Sequence, residues 1–225
     1  MSYANLYVLY ERMQQQSSDM KSNTAENKKA IIMTALRLFL KKGIRAVRMD
    51  DIANEMGISK RTLYELFENK EELLLCCIME QRNYEKEQTG EIISTSCNTM
   101  ELILRIYRLF MKTHRNTNPK FFTEINNYPQ IQKRLQKSNE QRSNDIIRFF
   151  KRGVEEGVFR PDVKYEILNI LLQKQMEYTF SSDLCERFNI RDIYSSILIT
   201  MLRGICTDRG KDILEKFNAA DEDMQ

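Results

Sequence analysis

The sequence contains few residues that interrupt helices: only 7 of its 225 residues are glycine and only 3 are proline. Glycine and proline mark the turns between short strands, so their scarcity disfavours an architecture built from many strands. Leu, Ile, Met, Glu, Lys and Arg, which are common in helices, are abundant instead. Because hydrophobic residues make up 42% of the chain, there is enough apolar material for a core. We therefore predict an all-α protein.

The sequence also lacks a segment that could enter a membrane. No apolar run approaches the ~20 residues that a membrane-spanning helix requires. The first residues of the chain have neither a basic region nor a small-residue cleavage site, so they do not resemble a secretory signal. From these absences we expect a cytoplasmic protein that has no membrane partner.

Residues suited to metal binding and catalysis are scarce. The chain has one histidine, His114, and its five cysteines include no C-x-x-C pair. The sequence shows neither the spacing of a zinc site, nor a Ser/His/Asp set, nor a glycine-rich phosphate loop. We therefore expect no catalytic residue, no metal site and no cofactor, and we predict that the protein is not an enzyme. Two interpretations of the cysteines stay open: a redox sensor, or small apolar residues in the core.

Positive charge is concentrated in one part of the chain. Residues 27–70 contain ten lysines and arginines but only five acidic residues, an excess of +5, whereas the whole chain has a net charge of +3. The remaining residues are therefore slightly acidic. A basic segment of this kind is typical of proteins that bind a polyanion such as nucleic acid. A solvated surface with charges clustered by chance is the alternative that charge alone leaves open.

Apolar spacing divides the chain into three regions. Residues 1–25 are predicted to form an N-terminal extension, residues 26–72 a domain of short helices, and residues 73–225 a larger domain of longer helices. In the middle region, apolar residues at helical spacing predict one helix ending before Gly43 and a short one beginning at Met49. Longer helices are predicted near 99–114, 129–156, 163–180 and 190–206. We expect roughly seven to ten helices and no strand.

The short helices predict a helix-turn-helix in the middle region. Gly57 interrupts the helical pattern, and Ser59 can cap the next helix by accepting from its free N–H groups. With Leu63 facing inward, this helix presents cations and hydroxyl groups to solvent. Cations can donate to guanine in the DNA major groove, and hydroxyl groups can reach phosphates; ordinary helix packing is the alternative. The predicted DNA-contacting residues are Arg48, Ser59, Lys60, Arg61, Thr62, Tyr64 and Lys70.

The run from Gly43 to Leu73, GIRAVRMDDIANEMGISKRTLYELFENKEEL, closely resembles the DNA-binding domain of the TetR family. The upstream segment ALRLFLKKG matches that domain as well. The resemblance implies an N-terminal three-helix DNA-binding domain at residues 26–72, followed by a helical domain that binds an effector and dimerises. It also implies a transcriptional repressor that leaves its DNA when a small molecule binds.

One residue departs from the family's pattern. Where the family often has Thr or Ser capping the second helix, this chain has Arg48. Arginine is a poor N-cap and its charge opposes the helix dipole, so we expect a loss of ~1 kcal/mol in stability, partly offset by Asp50 and Asp51. We predict that Arg48 contacts a DNA phosphate instead.

The larger domain is rich in aromatic and methionine side chains. Some of them could line a pocket for an unknown apolar or amphipathic effector, and the alternative is an ordinary core. The resemblance implies that helices 163–180 and 190–206 form the interface of a homodimer, whose two recognition helices would bind a palindromic operator in double-stranded DNA. The predicted pocket residues are Tyr107, Phe110, Met111, Phe122, Phe149, Met176 and Phe180.

Two other functions fit the same sequence. One is a transcriptional activator of the same fold, and the other is a ligand-binding helical protein without strong DNA binding. Salt-dependent, sequence-specific DNA binding would separate a regulator from the second alternative. Transcript levels in a deletion strain would separate a repressor from an activator.

Overall fold

The computed structural model describes residues 24–222, with side chains described for residues 26–135 and 145–217. The predicted extension, residues 1–25, therefore lies outside the described residues except where the first helix begins. Eleven α-helices and one 3-10 helix make up the described part, which contains no β-strand. The helices are α1 (Thr24–Lys42), α2 (Met49–Met56), α3 (Lys60–Leu66), α4 (Lys70–Thr95), α5 (Thr99–His114), α6 (Pro119–Glu124), the 3-10 helix Ile125–Asn127, α7 (Pro129–Glu155), α8 (Tyr165–Ser181), α9 (Leu184–Arg187), α10 (Ile190–Ile205) and α11 (Asp208–Glu222).

The all-α prediction is confirmed over the described residues. The four longer helices predicted from apolar spacing correspond to α5, α7, α8 and α10. The sequence did not predict α9, which has only four residues, or α11, whose sequence is mostly polar. No helix within residues 24–222 has the length and apolar composition of a membrane span.

The described chain divides into two compact units. Unit 1 holds residues 24–87 and 112–131, and unit 2 holds residues 88–111 and 132–222. The predicted boundary between residues 72 and 73 falls inside α4 and inside unit 1. Packing continues past residue 72 because Leu73, Leu74 and Cys77 are buried, and the Cys77 thiol donates to the carbonyl of Ile32 on α1 at 3.3 Å. The limits 26–72 stay a prediction about which residues bind DNA.

Unit 1 is built on the apolar face of α1. Ile31, Ala35 and Phe39, which share that face in the sequence pattern, are all buried. The helix ends at Lys42 because Gly43 takes a φ of 86°, a left-handed conformation that glycine adopts without steric cost. The buried apolar residues of α2 and α3 that complete this core are Met49, Ile52, Ala53 and Leu63.

Unit 2 has its core beside the loop that follows α7. Arg160 donates its N–H to the carbonyl of Ile205 at 2.8 Å, and Thr207 donates to the carbonyl of Val158 at 3.1 Å. These bonds fasten the end of α7 to the connection between α10 and α11. The buried residues around them are Met100, Leu104, Phe150, Val158, Phe159, Tyr165, Leu202, Ile205, Cys206 and Leu214.

Candidate nucleic-acid interface

The predicted helix-turn-helix consists of α2, the turn at Gly57 and α3. Arg48 precedes α2 with an exposed side chain that makes no capping hydrogen bond. The Asp51 carboxylate instead accepts the backbone N–H of Arg48 at 2.7 Å, which is one half of a capping box. Gly57 has a φ of 64°, and the next N–H, of Ile58, donates to the carbonyl of Ala53 at 3.0 Å. This left-handed residue turns the chain from α2 into α3.

The burial of Leu63 fixes which face of α3 points outward. Ser59 caps the helix, since its Oγ accepts the Thr62 N–H at 3.1 Å and lies 2.8 Å from the Thr62 hydroxyl oxygen. The outward face carries the predicted contact residues Lys60, Arg61, Thr62 and Tyr64, all of them exposed. A short helix with this face has the size and the donor groups that suit the major groove.

Two acidic side chains pair with the cations of α3. Asp50 Oδ2 lies 2.5 Å from Lys60 Nζ, and Glu65 Oε1 lies 2.8 Å from Arg61 Nε. Both pairs are exposed to solvent, so each is weak and screened by salt. A phosphate or a guanine edge can therefore replace either carboxylate at little cost. The sequence predicts only a helix-stabilising role for Asp50, because its pairing with Lys60 depends on how α2 and α3 pack.

Lys70 is partly buried, whereas the other predicted DNA-contacting residues are exposed. Its ammonium group donates to the carbonyl oxygen of Ile44 at 2.5 Å and lies 5.8 Å from the ring centre of Phe39. Partial burial lowers the pKa of Lys70, while the nearby carboxylates of Glu124 and Asp51 act in the opposite direction. The structure thus places this cation against the loop between α1 and α2. A phosphate contact by Lys70 stays a prediction.

A residue outside the predicted DNA-binding domain reaches the same loop. Glu124, the last residue of α6, accepts the backbone N–H of Arg45 on its Oε2 at 2.8 Å. At the other end of α6, the N–H of Asn118 donates to the carbonyl of Leu40 at 2.7 Å. No sequence signal points to Glu124, because it lies 79 residues from its partner and the bond depends on tertiary packing.

Three of the predicted effector-pocket residues lie around α10 in unit 2. The ring of Phe110 stacks on Tyr194 with 4.0 Å between centroids, and the ring of Phe180 lies 6.3 Å from Tyr194. The Tyr107 hydroxyl lies 2.8 Å from the hydroxyl oxygen of Ser195. The sequence analysis did not identify Tyr194 and Ser195 as partners of these aromatic residues. It assigned the segment 190–206, which contains both, to the dimer interface.

The other predicted pocket residues lie apart from that cluster. Phe149 packs in the core of unit 2, with its ring 5.6 Å from the ring of Phe150. Phe122 belongs to unit 1, where its ring lies 5.6 Å from His114 in an edge contact. Met111 and Met176 are half-buried in unit 2. Ligand binding by this set stays a prediction.

Helix α8 exposes a row of large apolar side chains. Ile167, Ile170 and Leu171 are each more than half exposed, and Tyr178 is 63% exposed. Spacings of three, four and seven residues place the four side chains on one face of the helix. Large apolar groups gathered on one surface mark a site of interaction with another molecule.

Four of the five cysteines, all except Cys97, are buried or partly buried. Burial raises the pKa of Cys76 and Cys77, and it raises the pKa values of Cys185 and Cys206 to about 11. A thiol with a raised pKa is poorly reactive at neutral pH, which favours the small-apolar interpretation at these positions. Within the described part of the chain, no group of three or more His, Cys, Asp or Glu could hold a metal ion.

The helix-turn-helix segment is similar to that of a known family of regulators. A sequence model described as "Bacterial regulatory proteins, tetR family" matches residues 31–77. The chain is 52% identical over 50 residues to the "Uncharacterized HTH-type transcriptional regulator YerO" of Bacillus subtilis (strain 168), a match that covers 22% of this chain and only 17% of that protein. It is 23% identical over 158 residues to the "HTH-type transcriptional repressor KstR2" of Mycolicibacterium smegmatis, covering 67% of this chain and 76% of that protein.

Solved structures share the fold over most of the chain. A transcriptional regulator from Saccharomonospora viridis in complex with choline aligns with a TM-score of 0.66 and 20% identity, covering 82% of this chain and 100% of that chain. The ketosteroid transcriptional regulator KstR2 of Mycobacterium tuberculosis aligns with a TM-score of 0.56 and 18% identity, covering 84% and 98%. The predicted fold class, an N-terminal helix-turn-helix domain followed by a helical bundle, is confirmed.

Proposed function

We propose that this chain is a transcriptional regulator of the TetR family, acting as a homodimeric repressor that binds a palindromic operator and releases it when a small-molecule effector binds. The observation that carries the proposal is the outward face of α3, where Lys60, Arg61 and Tyr64 are exposed while Leu63 is buried. In this proposal the protein acts on DNA in the cytoplasm and catalyses no reaction.

The outward face of α3 has the chemistry of a helix that reads the major groove. Lys60 and Arg61 can donate to O6 and N7 of guanine, and the Thr62 methyl group can contact thymine. The Tyr64 hydroxyl and the exposed Arg48 can reach phosphates, which position the protein without reading sequence. A well-made base contact by Arg61 would contribute ~1–3 kcal/mol of discrimination.

The apolar row on α8 supports the proposed homodimer. Two copies related by a two-fold axis present the same patch to each other, so Ile167, Ile170 and Leu171 could be buried against their own counterparts. That burial removes apolar surface from water, which is the main favourable term in association. A two-fold dimer carries two α3 helices, so its operator should be a palindrome with half-sites spaced by helical turns.

The rings around α10 support an apolar or amphipathic effector bound in unit 2. Phe110, Phe180 and Tyr194 offer aromatic surface, and the hydroxyl pair of Tyr107 and Ser195 offers polar groups beside it. Among the similar structures, the Saccharomonospora viridis regulator is in complex with choline, and KstR2 is described as a ketosteroid transcriptional regulator. For this chain we propose a molecule with a large apolar part and at least one hydrogen-bonding group.

Release of DNA requires that the effector bind two conformations with different affinities. An effector that prefers the conformation with poor operator affinity lowers the population of the DNA-bound state. By linkage, the operator must weaken effector binding by the same factor. An effector that leaves operator affinity unchanged would contradict this part of the proposal.

Selection of binding sites from random duplex DNA tests the proposal directly. We expect purified protein to enrich a palindromic motif at two salt concentrations, with weaker binding at the higher salt because phosphate contacts release counterions. Arg61→Ala with Tyr64→Ala should abolish enrichment while the protein remains folded and dimeric. An exposed arginine in unit 2, Arg148, gives the control: Arg148→Ala should enrich the wild-type motif.

Each alternative function predicts a different result. If no motif is enriched and only weak salt-sensitive binding remains, the protein is a ligand-binding helical protein rather than a regulator. If a motif is enriched, transcript levels of the adjacent genes in a deletion strain distinguish repression from activation. Rising transcripts support a repressor, and falling transcripts support an activator.

A further inference from the structure

The peptide group that joins Ile44 to Arg45 has both of its polar atoms bound by charged side chains. Its carbonyl oxygen accepts from Lys70 Nζ at 2.5 Å, and its N–H donates to Glu124 Oε2 at 2.8 Å. Because a peptide group is planar, holding both atoms fixes its orientation. This peptide lies in the loop between α1 and α2, next to the exposed side chains of Arg45 and Arg48.

Helix α6 holds Glu124 where it can make this bond. Asn118 caps α6, since its side chain accepts the N–H of Lys120 at 3.0 Å. The backbone N–H of Asn118 donates to the carbonyl of Leu40 at 2.7 Å, one of the carbonyls that the last turn of α1 cannot pair within the helix. The position of α6, and therefore of Glu124, is tied to the end of α1.

The loop also passes close to α6 at Gly43. A Cβ atom built on Gly43 would lie 3.2 Å from Glu124 Oε2 and 3.3 Å from the Cβ of Lys120, both tighter than ordinary contacts. With a φ of 86°, Gly43 already has a backbone that other residues rarely adopt. The glycine therefore permits the approach that the bond between Arg45 and Glu124 requires.

We propose that Glu124 is a positioning residue for DNA binding. By accepting the Arg45 N–H, it orders the loop between α1 and α2 so that the guanidinium groups of Arg45 and Arg48 face the DNA backbone. Without the bond, the peptide is held only at its carbonyl, by Lys70 and the Val47 N–H, so part of the loop's order must be regained when DNA binds, which weakens binding. The inference rests on the proposed operator binding, and it extends the DNA-binding apparatus beyond residue 72 to α6.

Three substitutions separate the hydrogen bond of Glu124 from its charge. Glu124→Gln keeps an acceptor oxygen at the same reach but removes the charge. Glu124→Asp keeps the charge but withdraws the carboxylate by about one carbon–carbon bond, ~1.5 Å. Glu124→Ala removes both. The readouts are the Kd for the operator selected by the wild-type protein and its salt dependence, measured below the unfolding temperature of every variant.

We expect the order of affinities to follow the hydrogen bond. Glu124→Gln should bind within about twofold of wild type, and Glu124→Asp and Glu124→Ala should each bind about tenfold more weakly. In the two weaker variants the salt dependence should fall by about one counterion, because a phosphate contact from the loop is lost. A purely structural role would shift the melting temperature without changing the salt dependence.

A matched control removes a carboxylate elsewhere in unit 1. Glu87 on α4 is exposed, and Glu87→Gln should leave operator binding unchanged. The inference is overturned if all three Glu124 variants bind like wild type, or if affinity follows charge, with Asp strong and Gln weak. If Glu124→Ala does not fold, the Asp and Gln variants decide. A wild-type protein that selects no DNA would overturn the proposed function as well.

Discussion

Helices α3 and α8 each bury one face and expose the other, but the exposed faces differ in chemistry. The face of α3 carries Lys60 and Arg61, whose acidic partners are weakly held at the surface. The face of α8 carries Ile167, Ile170 and Leu171, which gain nothing from exposure to water. The charged face suits a polyanion that binds and dissociates reversibly. The apolar face suits a stable interface with another protein surface. Exposure alone therefore does not identify a partner, whereas the chemistry of the exposed groups does.

The largest expected effect comes from making the α8 face charged. Ile170→Glu with Leu171→Glu should separate the proposed dimer, because burying like charges against their symmetry mates is strongly unfavourable. A monomer holds one half-site, so operator affinity should fall by more than about a hundredfold. Sedimentation velocity and operator titration measure the two effects. Glu215→Ala, which changes an exposed acidic residue on α11, is the control. If the Ile170→Glu, Leu171→Glu variant stays dimeric, the interface lies elsewhere than on α8.

A somewhat smaller effect is expected from the charged face of α3. Arg61→Ala should weaken operator binding by about 10- to 100-fold and relax the base preference at one position of each half-site. Binding to random DNA should fall much less, because only phosphate contacts contribute there. The measurement is a competition titration with the operator and with single-base variants. Retained preference at every position would show that Arg61 does not read a base.

A third prediction is that one substitution at Arg48 raises the stability of the protein but removes a contact with DNA. Arg48→Thr introduces the capping side chain that α2 lacks, so the stability of the protein should rise by ~1 kcal/mol. The same change should lower the salt dependence of DNA binding by about one counterion, because a phosphate contact is removed. Thermal unfolding and titrations across salt concentrations measure both. An unchanged salt dependence would argue against a phosphate contact by Arg48.

The smallest expected effect concerns the acid that pairs with α3. Asp50→Asn removes the exposed carboxylate beside Lys60, so DNA binding at low salt should become about two- to threefold tighter. The gain should disappear at high salt, where the pair is screened in any case. Asp145→Asn, in the exposed Asp145–Arg148 pair of unit 2, is the matched control. Weaker binding by Asp50→Asn would mean that the pair positions Lys60 for DNA rather than competing with it.

Local signals explain why the helix-turn-helix could be predicted closely. Gly43 and Gly57 mark the ends of α1 and α2, and Ser59 marks the start of α3, each through a conformation or a cap that involves only a few neighbouring residues. By contrast, α11 carries a mostly polar sequence, and its burial of Leu214 depends on neighbours from elsewhere in unit 2. Prediction succeeded where the cause of the structure lies within one or two turns of chain.

Sequence alone was sufficient for the all-α fold, the basic segment, the family resemblance and the outward face of α3, because periodicity, caps and net charge are local properties. Only the tertiary structure decided that Lys70 and Glu124 hold the same peptide group, and that Tyr194 receives the rings of Phe110 and Phe180. Those pairings join residues far apart in the chain. Their geometry depends on how whole helices pack, and hydrophobic periodicity specifies which face of a helix is buried but not which partner buries it.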